Sequence, residues 1–212
     1  MADEQSRLII PGASWEMIKK IVRAYHAVDD RPNPSVDEVA AIAGKARPVI
    51  SSSNNFLRAV GLLKTDENKL TPLGIQFATG LSLVNQSMER EALQQIIREC
   101  PPLSRLVATL RARGSMKEEA LRGQVIIAAG LNAESRNLAF VPTILDLMEG
   151  SGLIEIDGDT ISVNQDAARN HSAQREIPPT SERETRTLAD VASQEGPIAP
   201  KGYIPTPFPL GP

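Results

Sequence analysis

Apolar and polar positions alternate at helical spacing through most of the chain, and the pattern fails beyond Asn164. Trp15, Ile18, Ile21, Val22 and Tyr25 form a first apolar stripe, with Ser14 as its expected cap, Glu16 in the first turn, and Lys19, Lys20 and Arg23 on the other side. The run Asp29-Asp30-Arg31-Pro32-Asn33-Pro34 cannot continue this helix. Ser35-Val36-Asp37-Glu38 then reads as a capping box opening a short helix through Val39, Ala40, Ile42 and Ala43, closed by Gly44. Residues 46–60 show two opposed faces. Val49, Ile50, Ser53, Phe56, Leu57 and Val60 form the one suited to a core, and Arg47, Ser51, Asn54, Asn55 and Arg58 form the other. Gly61 should end that helix, and Leu62-Leu63-Lys64 and Lys69-Leu70-Thr71 should pair as a short hairpin. Thr71 and Pro72 predict the cap and first position of another helix, whose Leu73, Phe77 and Leu81 should pack back on the first.

Helix, short helix, turn, amphipathic helix and hairpin is the order of elements in the winged helix-turn-helix superfamily, which residues 14–84 resemble. Leu70-Thr71-Pro72-Leu73-Gly74 is also similar to the strand-to-helix junction that follows the wing in many bacterial and archaeal members. Beyond the polar joint Asn85-Gln86-Ser87, a helix is expected from Met88 to Cys100, and the Pro101-Pro102 pair should divide it from the next, which carries Leu103, Leu106, Val107 and Leu110. Gly114 precedes what reads as a second capping box, Ser115-Met116-Lys117-Glu118, and a helix through Leu121, Val125 and Ile126 to Gly130.

The opening stretch then recurs at an offset of 91: Gly61-Leu62-Leu63 matches Gly152-Leu153-Ile154, and Lys69-Leu70-Thr71 matches Thr160-Ile161-Ser162. Pro142 either interrupts the helix before this repeat or marks its first turn. The expected fold is mostly α with small β-hairpin wings: a lead at 1–13, a winged helix-turn-helix domain at 14–84, a second winged-helix-like domain at 85–166, and a flexible Pro-rich tail at 167–212.

Composition narrows the function. Aromatic residues are 3% of the 212, which leaves few surfaces for stacking unpaired bases and disfavours single-strand or RNA-loop recognition. Net charge is −3, unlike a non-specific nucleic-acid binder. Residues 1–85 hold ten Lys and Arg against nine Asp and Glu, and residues 86–166 hold eight against twelve, so contact with phosphate is expected in the first part. A single cysteine, Cys100, excludes an internal disulfide; with no apolar run of the ~20 residues a membrane span needs and an acidic start, a cytoplasmic protein without membrane contact is expected.

A helix that reads a duplex needs donors and acceptors for base edges and no carboxylate to repel phosphate. Arg47, Ser51, Ser52, Asn54, Asn55 and Arg58 meet that condition, with Lys45 just before them; Lys19, Lys20, Lys64 and Lys69 are candidates for phosphate contact. Asp66 and Glu67 at the wing tip argue against wing insertion into a minor groove. The corresponding second helix exposes Asp146 and Glu149, and its hairpin carries Glu155, Asp157 and Asp159, so residues 85–166 should face a protein partner or a second copy.

No catalytic constellation, cofactor motif or metal-ligand spacing occurs: His26 and His171 stand alone, and Asp157-Gly158-Asp159 reads as a hairpin turn. Tyr203, Ile204 and Phe208, in a proline-stiffened run, could dock as a linear motif on a partner protein. The reading is therefore a non-enzymatic, sequence-specific duplex DNA-binding protein, a transcriptional regulator for which a homodimer would be natural. The rival is a tandem winged-helix adaptor that binds other proteins in a larger assembly.

Overall fold

A computed structural model describes residues 7–132 and 134–164, all of which fall in one compact unit. The expected tail, with Tyr203, Ile204 and Phe208, lies outside the described residues. These form eight α-helices and one small antiparallel sheet: α1 (Trp15–His26), α2 (Val36–Ala43), α3 (Arg47–Ala59), α4 (Pro72–Ser82), α5 (Gln86–Glu99), α6 (Pro101–Arg113), β1 (Ser115–Lys117), α7 (Glu118–Ala128), α8 (Val141–Gly150), β2 (Ile154–Asp157) and β3 (Thr160–Val163). A 3-10 turn, Arg136–Phe140, leads into α8.

Local chemistry sets most boundaries. Ser35 and Glu38 form the capping box reciprocally, and this holds the Glu38 carboxyl below its ordinary range, mainly through the Ser35 amide. Thr71 caps α4 by accepting from the Gly74 amide. Ser14 sits at the start of α1, but its side chain makes no capping bond. Cys100 is the extended residue between α5 and α6, so the proline pair does divide two helices. Pro142 lies in the first turn of α8, where its missing amide breaks nothing.

Ser115-Met116-Lys117-Glu118 is not a capping box: Ser115–Lys117 is a strand, with Met116 turned inward opposite Ile161, and α7 starts at Glu118 without a side-chain cap. A pairing made more than forty residues away outweighs a four-residue local motif. The short hairpin after α3 pairs in the expected register: Leu63 and Leu70 form an isolated bridge, the Lys64 amide donates to the Lys69 carbonyl and the Thr71 amide to the Leu62 carbonyl.

The repeat holds in the helix ends and not in the hairpins. α3 ends at Ala59 and α8 at Gly150, 91 residues on, and Gly61 and Gly152 follow with φ of 75° and 69°, where a side chain would be strained. Leu63 pairs with Leu70, whereas Ile154 pairs with Val163 and Ile156 with Ile161, a register two residues longer. The second hairpin closes on the two residues Gly158 and Asp159, while the first needs a longer loop. β3 lies centrally in the sheet, in the order β1-β3-β2.

One apolar core runs through both halves of the described chain. Trp15 of α1 stacks on Phe77 of α4, with ring centroids 5.9 Å apart, as the packing of α4 on α1 requires. The lead crosses to the second half. Leu8, Ile10 and Ala13 are buried, the Leu8 amide donates to the Ala128 carbonyl, and Arg7 donates to the carbonyls of Ala129 and Gly130 at the end of α7. Thr143 of α8 donates to the Ala13 carbonyl at 3.1 Å.

Candidate nucleic-acid interface

α3 begins after an extended Ala46, with Pro48 in its first turn and no side-chain cap. Ile50, Ser53, Asn54, Phe56 and Leu57 are buried, and the Ser53 hydroxyl is satisfied by the Val49 carbonyl. What remains outward is a strip of Arg47, Pro48, Ser51, Ser52, Asn55 and Ala59. Lys45, one residue before the helix cap, is also exposed. No carboxylate lies on the helix itself.

Asn54 does not belong to that strip. It is 3% exposed, and its Oδ1 accepts the Tyr25 hydroxyl of α1 at 2.9 Å. Burial pushes the Tyr25 phenol above its ordinary value, against smaller opposing effects of the Asn54 bond and the Arg58 charge. Asn54 therefore holds two helices together and cannot reach a base.

Arg58 is half-buried and engaged with the hairpin that follows α3. Its Nε donates to the Lys64 carbonyl at 3.2 Å and its NH2 group to Asn68 Oδ1 at 3.1 Å. The Asn68 amide in turn donates to Asn33 Oδ1 at 3.3 Å. Arg58 thus positions the hairpin, and Asn33 and Asn68, which neither spacing nor composition marks out, complete that anchor.

The cations around α3 are partly neutralised. Arg47 lies 3.4 Å from Asp37 of α2, both side chains 65% exposed, and Lys64 lies 3.0 Å from Glu67. Exposed pairs of this kind contribute little and open at small cost, so both cations can turn to another partner. Lys69 is half-buried. Ser52 lies where the lead crosses: a Cβ at Gly12 would stand 2.4 Å from its Oγ. Lys19 belongs elsewhere, paired with Glu16 and facing Asp146 of α8. The strip of α3 with freedom to engage a partner reduces to Lys45, Arg47, Ser51 and Asn55, flanked by Ser52 and Lys64.

α8, the helix 91 residues beyond α3, offers no comparable strip. Asp146, Glu149 and the terminal Gly150 are the exposed positions of α8, whose Val141, Thr143, Ile144, Leu145, Leu147 and Met148 are buried. Burial, and next the Glu16 charge, raise the Asp146 carboxyl above its ordinary range. Glu155, Asp157 and Asp159 are exposed on the hairpin.

Among the described residues no group of three His, Cys, Asp or Glu is placed to hold a metal ion, and no helix is long and apolar enough to cross a membrane. Comparison of the chain with family models, curated proteins and solved structures gave no match.

Proposed function

We propose that the chain is a tandem winged-helix protein that binds double-stranded DNA, as a transcriptional regulator does, with α3 entering a major groove. The single observation that supports this reading is the outward strip of α3, which carries Arg47, Ser51 and Asn55 behind Lys45 and has no carboxylate on the helix. An arginine matches the two acceptors of guanine and an asparagine the acceptor and donor of adenine. Lys45 and Lys64 are the phosphate partners in this arrangement, and Asn54 and Arg58 act behind the surface. The wing stays outside the minor groove, because Asp66 and Glu67 stand at its tip.

The test is selection from a randomised duplex pool followed by fluorescence anisotropy on the selected site. Arg47→Ala and Asn55→Ala should each weaken binding by about 1–3 kcal/mol and relax the sequence preference at separate base pairs. Failure of the wild-type chain to enrich any sequence would overturn the reading. A second reading, a protein-binding adaptor, draws on the pairing of Arg47 and Lys64 with carboxylates and on the acidic outer positions of α8 and β2. Salt separates the two, since a duplex binder loses affinity steeply as salt rises, whereas an adaptor shows little duplex affinity at any salt.

A further inference from the structure

Three stretches far apart in the chain meet around one cavity of about 500 Å³: residues 7–9 of the lead, residues 59–60 where α3 ends, and residues 99–102 at the joint between α5 and α6. That volume falls within the roughly 300–1,000 Å³ of sites that take small molecules. Most of its wall is apolar. Leu8, Val60, Cys100 and Pro102 are buried, and Ile9, at 37% exposure, is a large apolar side chain that the fold leaves partly wet. An apolar body seated in the cavity would cover it.

Two opposite charges line the same cavity. Arg7 is held there by uncharged groups, its Nε donating to the Ala129 carbonyl and its NH2 group to the Gly130 carbonyl, which leaves the guanidinium further N–H donors. Glu99 is exposed and accepts from the neutral Gln95 amide at 2.8 Å. No ion pair among the described residues includes Arg7 or Glu99, so the two share a cavity without neutralising each other. The end of α7 accounts for a cation beside its last carbonyls. Nothing comparable accounts for Glu99, the last residue of α5, where the helix dipole disfavours a carboxylate. Of the other charges nearby, Arg98 and Arg105 do not line the cavity; Arg105 donates to the Pro101 carbonyl at 3.4 Å, and its positive charge reaches Cys100.

We infer that this cavity binds a small zwitterion with an apolar body, an aliphatic amino acid or dipeptide, with its carboxylate on Arg7, its ammonium group on Glu99 and its side chain against Leu8, Ile9, Val60 and Pro102. Charge complementarity selects the occupant. A wholly apolar molecule would leave both charges unused, a simple carboxylate would meet Glu99, and a simple amine would meet Arg7. The inference goes beyond the duplex-binding reading of α3 and does not depend on it. The occupied cavity would join the lead to the end of α3 through the ligand itself.

Cys100 supplies the reporter, since it is the chain's single cysteine and lines the cavity. Burial raises its thiol above the ordinary range, so its reaction with a thiol-specific aromatic disulfide is slow enough to follow. With the full chain, leucine or leucyl-leucine should slow that reaction in a saturable way and raise the melting midpoint. Isocaproate and isoamylamine, which each lack one of the two charges of leucine, should bind roughly tenfold more weakly or worse. Glu99→Gln should bring isocaproate level with leucine, an exchange of preference that a role in folding would not produce. Ala59→Phe, at an exposed position on the wall, should abolish protection of Cys100 while the variant still melts cooperatively. Failure of both leucine and leucyl-leucine to protect Cys100 in the wild-type chain would overturn the inference. Isocaproate or isoamylamine binding as tightly as leucine would overturn it as well, and so would protection by leucine that neither Glu99→Gln nor Ala59→Phe alters. None of these results bears on duplex binding, which is measured separately.

Discussion

Asn54 and Arg58 show how two side chains at the same apparent spacing come to differ in role. On a helix of 3.6 residues per turn, Asn54 lies about 60° around from Leu57, on the shoulder of the buried face. Whether such a shoulder is wet depends on what α1 presents to it, and Tyr25 presents a hydroxyl. Nothing in the spacing of residues 47–58 contains that fact, whereas Arg47, Ser51 and Asn55 fall well inside the exposed arc and were legible from the pattern alone. Tyr25→Phe should leave the Asn54 amide buried without its donor and cost about 1–3 kcal/mol in urea unfolding, with duplex affinity unchanged. The wild-type chain should also weaken in alkali. Because burial raises the folded-state value, the Tyr25 contribution is complete below about pH 10, the ordinary tyrosine value, and is lost as pH climbs from there through the raised one. The Phe variant should lack that alkaline decline, and an unaltered decline would exclude Tyr25 as its source.

Among the elements, the helices were the readable part, because their apolar stripes are long and their caps are local. The turn between α4 and α5 was not readable as anything but polar. Leu83 and Val84 are 67% and 83% exposed there, and Val84 takes a φ of 53°, which a β-branched side chain rarely adopts. Val84→Asn keeps the turn and tolerates the left-handed backbone, so the midpoint of urea unfolding should rise by an amount equivalent to about 1 kcal/mol. An unchanged or lower midpoint would mean that the Val84 side chain supports the turn in some other way. β1 went unseen for a related reason. Three residues of alternation carry little weight in a sequence, and only the partner strand β3 makes Met116 an inward position. α4 carries the opposite lesson, since Thr71 and Pro72 announce it and Gly74 completes it. A Cβ there would stand 2.2 Å from the Leu62 carbonyl oxygen, so the helix can close on the end of the hairpin only without one.

At the scale of the whole molecule, sequence repetition suggested modules, and the packing joins them through shared side chains. The chain's one tryptophan, Trp15, stacks on Phe77 and belongs to α1, which packs on both α4 and α8, so it lies where the two halves meet. Its emission should therefore follow both, and in urea the fluorescence and far-UV dichroism curves should coincide in a single transition. Two resolved transitions would show that the halves unfold separately and that the common core is weakly coupled.

The lead gives this joining a direction in time. Arg7 and Leu8 wait for the carbonyls of residues 128–130, and Ala13 for the hydroxyl of Thr143. A nascent chain with only its first four helices finished has those partners still unmade, and leaves the Leu8 amide and the Ala13 carbonyl without them until the later residues arrive. Residues 7–13 are thus made long before the groups they bond, and take their places only once residues 128–143 have followed.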